Sequence, residues 1–124
     1  MSRLCMTVDD SKIIRRIARQ IVESLGFECA EAEDGSAALA ACKQRMPDVI
    51  LLDWNMPVMN GYEFLVAVRK EPGGDKPVII FCTTENEMAQ IMKAMEAGAN
   101  EYIMKPFDAD MVKDKFIQTG VLEG

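Results

Sequence analysis

Histidine is absent from all 124 residues. That single absence removes imidazole acid–base catalysis, Ser-His triads and imidazole metal ligands together. The four cysteines, Cys5, Cys29, Cys42 and Cys82, are scattered and never spaced Cys-x-x-Cys. They read as small, reduced core residues rather than as disulfides or metal ligands. Basic residues are outnumbered, giving a net charge of −6, so no nucleic-acid partner is expected, because phosphate binding needs clustered Lys and Arg. No apolar stretch approaches the roughly 20 residues that span a bilayer. The N-terminus lacks the basic region, apolar segment and cleavage site of a signal peptide. A cytoplasmic chain without membrane insertion is the expectation.

What is present is ordinary in amount and specific in order. With 49% hydrophobic and 27% charged residues, residues 1–124 are expected to form a single domain with one real core. Strand and helix signals alternate every 10 to 15 residues or so, the pattern of repeated βαβ units. Strands are expected at Leu4–Val8, Glu28–Ala32, Val49–Asp53, Val78–Cys82 and Glu101–Met104. Helices are expected over about Ser11–Leu25, Ser36–Arg45, Gly61–Lys70, Glu85–Ala97 and Asp108–Thr119. In the first helix, Ile13, Ile14, Ile17, Ala18, Ile21, Val22 and Leu25 recur at helical spacing, with Ser11 able to cap it and Gly26 to end it. Pro72-Gly73-Gly74 is the clearest breaker. Five strands and five helices in strict alternation give an α/β, doubly wound, three-layer sandwich with helices on both faces.

The charged residues sit where such a sheet binds ligands. Asp53 closes the run Val49-Ile50-Leu51-Leu52, Asp9 and Asp10 follow Leu4–Val8, and Lys105 follows Tyr102-Ile103-Met104. Open parallel sheets bind ligands outside the carboxyl ends of their strands. Three acids and a lysine at that edge suit a divalent cation and a phosphoryl group.

The residues themselves go further. Val8-Asp9-Asp10-Ser11, Asp53-Trp54-Asn55-Met56-Pro57 with Asn60-Gly61, Thr83, and Lys105-Pro106-Phe107 together resemble the signature set of response-regulator receiver domains. Glu33-Asp34-Gly35 and Ala97-Gly98-Ala99 also fit. The resemblance covers essentially the whole chain and is nearest to the stand-alone, single-domain chemotaxis regulators of the family. It implies a flavodoxin-like parallel sheet in the order 2-1-3-4-5, where the alternation alone would allow others.

The resemblance also implies roles. Asp53 resembles the phospho-acceptor, forming an acyl phosphate. Asp10 and Asp53 would ligate Mg²⁺ directly with the backbone carbonyl of Asn55, and Asp9 would act through water or through Lys105. Lys105 would contact the acceptor and then the phosphoryl group, with Lys105-Pro106 cis. Thr83 resembles the switch hydroxyl and Tyr102 the switch aromatic, although Thr84 stands where a smaller residue is common. Asn55 and Glu85 occupy positions that tune dephosphorylation. Met88, Met92 and Met95 on the fourth helix are explained mostly by core packing.

The expected function is a stand-alone response regulator of a two-component phosphorelay. It would take its phosphoryl group from a histidine kinase or phosphotransfer protein and signal by protein–protein binding. The face of the fourth helix, fifth strand and fifth helix is the expected output surface, and no turnover of a separate substrate is expected. Two alternatives stay open. A Mg²⁺-dependent aspartyl-phosphate phosphatase would usually carry a second acid two residues after the nucleophile, where Asn55 stands. A receiver-like binding module independent of phosphorylation would have no need of the clustered charges.

Overall fold

Short apolar runs, bounded by turn residues, become the strands. Leu4–Val8 (β1), Glu28–Ala32 (β2), Val49–Asp53 (β3), Val78–Thr83 (β4) and Glu101–Met104 (β5) form one sheet in the computed structural model, which describes residues 3–123. The order is β2-β1-β3-β4-β5 and every pairing is parallel, as the resemblance implied. β1 and β3 lie inside the sheet and are buried along their whole length, which is why they read as unbroken apolar runs. β2 is an edge strand and exposes Glu28 and Glu31.

Helices α1 (Lys12–Ser24), α2 (Gly35–Gln44), α3 (Gly61–Arg69), α4 (Ile91–Glu96) and α5 (Ala109–Gln118) cover both faces. Alternation along each strand divides the core in two. Cys5, Val49, Leu51, Ile80, Cys82 and Ile103 pack with Ala18 and Val22 of α1 and with Val112 and Phe116 of α5. Met6, Val8, Ile50, Leu52, Ile79 and Phe81 pack on the opposite face with residues of α2, α3 and α4. Phe64, Phe81 and Phe116 are fully buried. Burying a side chain of that size is worth roughly 1.5–3 kcal/mol.

Local signals set the helix ends. The hydroxyl of Ser11 accepts from Ile14 N–H at the start of α1. Asp34 and Asp108 cap α2 and α5 in the same way. Asn60 and Glu63 form a reciprocal capping box at α3. The residue after Asn60 must be glycine, because a Cβ on Gly61 would collide with the Asp53 carbonyl and the Phe81 ring. That close approach fixes the end of β3.

The fourth helix departs from expectation. Glu85–Gln90 is a 3₁₀ segment with no buried residue, and the α-helix proper begins only at Ile91. A second capping box marks its start: Thr84 N–H donates to Glu87 Oε1 at 3.0 Å. The carboxylate is held from outside the segment as well, by the side-chain amide of Asn55. The methionines also divide. Met88 and Met95 pack against the core, but Met92 is 69% exposed and does not.

All four cysteines are free and three are buried, Cys29 being half-buried. Burial pushes the thiols of Cys29 and Cys42 up to about 11 and that of Cys82 up to about 12. Such thiols are poor nucleophiles and poor ligands at neutral pH.

Candidate functional site

Strand parity decides which side chains meet at the carboxyl edge. In β3, Val49 and Leu51 face α1 and α5, so Asp53, two residues on, shares their side. Asp9 has the parity of Cys5, and Lys105 that of Ile103. The structure brings these three together. Lys105 Nζ donates to Asp53 Oδ1 at 2.8 Å and to Asp9 Oδ2 at 3.1 Å. Asp9 and Asp53 are almost fully buried. The second oxygen of Asp9 accepts from Ser11 N–H at 2.9 Å. Lys105 is anchored through its own backbone, whose N–H donates to the Thr83 carbonyl at 2.8 Å. The Lys105-Pro106 bond is cis.

Asp10 lies at the mouth of this cluster and is exposed. Asp9, Asp10 and Asp53 each offer an oxygen, and these atoms all lie within 4.8 Å of one another. One ammonium against three carboxylates leaves the cluster negative. An all-oxygen donor set with space for water fits Mg²⁺, a hard ion that keeps several waters and needs few carboxylates. It does not suit a metal that prefers thiolate or imidazole.

The electrostatics of the pair are uneven. Burial raises the Asp53 carboxyl above its ordinary value; the Lys105 hydrogen bond opposes this and the charge of Asp9 reinforces it. Burial works against the Lys105 ammonium too, yet hydrogen bonds and charge from Asp53 and Asp9 prevail and push it well up. Lys105 therefore stays charged, and its proton is not available for transfer at neutral pH.

The other face carries a different set. Thr83 has the parity of Ile79 and Phe81 and is fully buried on the α4 side. Tyr102 pairs in register with Phe81, is half-buried on that same face, and has Lys115 Nζ 5.4 Å from its ring centroid. Thr83 and Tyr102 thus share one face, apart from Asp9 and Lys105. Trp54 follows Asp53 and turns to this side, 5% exposed, its ring centroid 4.7 Å from that of Phe81.

Glu85 is exposed at the head of the 3₁₀ segment. The acid that reaches Asn55 is instead Glu87, whose Oε2 accepts from Asn55 Nδ2 at 2.5 Å. Its Oε1 takes Thr84 N–H and lies 3.5 Å from the Thr83 hydroxyl. Sequence reading missed Glu87, although Thr84-x-x-Glu87 carries the capping-box spacing. Also missed was Arg15, whose Nη1 donates to the Asp9 carbonyl at 2.6 Å while its Nε bonds Glu31.

The sequence profile described as the response regulator receiver domain matches residues 5–117. The chain is 39% identical over 111 residues to the chemotaxis protein CheY of Pseudomonas aeruginosa, covering 89% of this chain and 90% of that one. It is 40% identical over 124 residues to a CheY homolog of Campylobacter jejuni, covering 96% and 95%. Among solved structures, CheY4 of Vibrio cholerae superposes with a TM-score of 0.89 at 32% identity, covering 96% of this chain and 99% of that one. The receiver domain of the sensor histidine kinase PA1611 from P. aeruginosa, solved with a magnesium ion coordinated in its active site cleft, has a TM-score of 0.87. At 24% identity, with 97% and 99% covered, that likeness concerns the fold.

Proposed function

The chain belongs to the family of response regulator receiver domains, and on that premise we propose that Asp53 is its phospho-acceptor. The observation that carries the proposal is the convergence of Asp9, Asp53 and Lys105 from three separate strand ends, with Asp10 at the mouth. A carboxylate oxygen of Asp53 attacks phosphorus in line with the leaving group. The new O–P bond forms as the P–N bond of a phosphohistidine breaks, and the departing imidazole keeps the electron pair. No side chain need move a proton in that step, which suits a site without histidine.

Asp10, Asp53 and the backbone carbonyl of Asn55 would hold Mg²⁺, with Asp9 contributing through water. When bound, the ion neutralises the carboxylates and the phosphoryl oxygens that approach them. The remaining work falls to the chain's own groups. Lys105 keeps the acceptor oriented, and its ammonium then serves a phosphoryl oxygen. Thr83 offers a buried hydroxyl on the α4 side. As it turns toward Asp53, Tyr102 on the same face would take up the space released. Asn55, and in a lesser way the exposed Glu85, set how readily water reaches the acyl phosphate.

Residues 1–124 act in this proposal as one cytoplasmic receiver domain. Its donors are a histidine kinase or phosphotransfer protein, and its target binds the face of α4, β5 and α5. No helix among the described residues is long and apolar enough to cross a membrane. The phosphatase alternative is disfavoured by Asn55, whose amide stands where a general acid would be required and is already bonded to Glu87.

Incubation with a small phosphodonor and Mg²⁺, read by intact mass, tests the proposal. The wild type should gain one phosphoryl group and Asp53→Asn none; equal gain on both proteins would remove Asp53 from the role.

A further inference from the structure

Glu87 joins three groups from two parts of the chain. Oε2 accepts from the side-chain amide of Asn55 in the loop after β3, at 2.5 Å. Oε1 accepts from Thr84 N–H at 3.0 Å and lies 3.5 Å from the Thr83 hydroxyl at the end of β4. Asn55 is 32 residues away in sequence, so no local helix-capping requirement accounts for that contact. The hydroxyl of Thr83 donates at a shorter distance, 3.2 Å, to the Thr84 carbonyl.

We propose that Glu87 is a latch that holds the unphosphorylated form, and that phosphorylation of Asp53 releases it. The inference rests on Asp53 being the acceptor. Asn55 follows the acceptor by two residues and Thr83 ends the neighbouring strand; Glu87 holds the Asn55 amide and lies within reach of the Thr83 hydroxyl. A phosphoryl group on Asp53 brings new negative oxygens to the same region. It competes for the Asn55 amide and the Thr83 hydroxyl and repels the carboxylate beside them. Once Glu87 leaves, the 3₁₀ segment Glu85–Gln90 loses the side chain that ties its first turn to the β3 loop. That segment has no fully buried residue and meets the core through the partly buried Met88, so its rearrangement has limited apolar packing to overcome. The site is thereby coupled to the start of α4 through a named contact. Differential affinity is what moves such an equilibrium: the latched form disfavours the phosphoryl group and the unlatched form accepts it.

The variants Glu87→Gln, which removes the charge and one acceptor, and Glu87→Asp, too short by one methylene to span both partners, test this. The probe is beryllium fluoride with Mg²⁺, a non-covalent phosphoryl mimic, titrated by calorimetry. Both variants should bind it roughly three- to tenfold tighter than wild type, the range expected for a charge-assisted hydrogen bond partly open to solvent. In nitrogen-edited NMR, the Asn55 side-chain amide of unliganded Glu87→Gln should move toward its position in mimic-bound wild type. A purely structural cap would behave otherwise, lowering the melting temperature while leaving mimic affinity and the unliganded Asn55 resonance unchanged. That result overturns the latch. Wild type that binds no mimic, or binds it equally well as Asp53→Asn, overturns the acceptor assignment and the latch with it.

Discussion

Lys105 Nζ sits 2.8 Å from Asp53 Oδ1 and 3.1 Å from Asp9 Oδ2, so one ammonium holds two buried carboxylates from the ends of the adjacent strands β3 and β1. Truncating it separates the two ligands of the site. Lys105→Ala should weaken the response to phosphorylation, because the phosphoryl group loses its cationic partner. Mg²⁺ affinity should hold or rise, since the acids lose a competing positive charge. A calorimetric titration showing a large fall in Mg²⁺ affinity would contradict this division of labour.

Asp10 is the exposed member of the acidic cluster and the one farthest from Lys105's hydrogen bonds. Asp10→Ala should lower Mg²⁺ affinity by roughly tenfold or more, the scale on which metal sites respond to loss of a supporting group. Trp54, adjacent to the acceptor and nearly buried, should report Mg²⁺ through a change in its fluorescence. An unchanged titration curve for the variant would show that Asp10 is not a ligand.

Burial, opposed by the Lys105 hydrogen bond and reinforced by Asp9, raises the Asp53 carboxyl above its ordinary value. A raised value means that the folded chain holds this proton more tightly than the unfolded chain does. The ionised carboxylate therefore costs stability at neutral pH. In chelator-treated buffer, Asp53→Asn should be more stable than wild type there, by about 1 kcal/mol, a typical size for one substitution. The gain should shrink as pH falls and vanish below the ordinary carboxylate range, where Asp53 is protonated in both states. Urea unfolding across that range checks it, and an advantage that grew in acid would refute the assignment.

Val58, a β-branched residue, has a φ of 68° and is 84% exposed, while Met59 N–H donates back to the Pro57 carbonyl at 2.7 Å. Positive φ is disfavoured for such a residue, and a three-residue turn of this hand is rare and strained. Val58→Gly should raise unfolding free energy by about 1 kcal/mol, because the relief exceeds the added freedom of the unfolded chain. A urea midpoint at or below that of wild type would show that the loop carries no such strain.

The sheet was legible because buried parallel strands leave little choice of residue. Val49–Leu52 and Val78–Cys82 had to be unbroken apolar runs, and the acids that follow β1 and end β3 stand out against them. Parity then placed Asp9, Asp53 and Lys105 on one side and Thr83 with Tyr102 on the other. The strand order and the cis bond came from family resemblance, because neither is written in periodicity. The start of α4 was not legible. Glu85–Gln90 is polar, and its geometry depends on Glu87 meeting Asn55 from another loop. Val58 could not have been foreseen either, since its backbone conformation is one its side chain disfavours.

The central claim is that a phosphoryl group is carried as an acyl phosphate on Asp53. Borohydride reduces an acyl phosphate to an alcohol, converting the phosphorylated aspartate to homoserine. Protein treated with phosphodonor and Mg²⁺, reduced at once and digested, should show homoserine at position 53 and unmodified aspartate at positions 9 and 10. Homoserine at either of those positions, or none at 53 in protein whose mass shows it to be phosphorylated, would contradict the account.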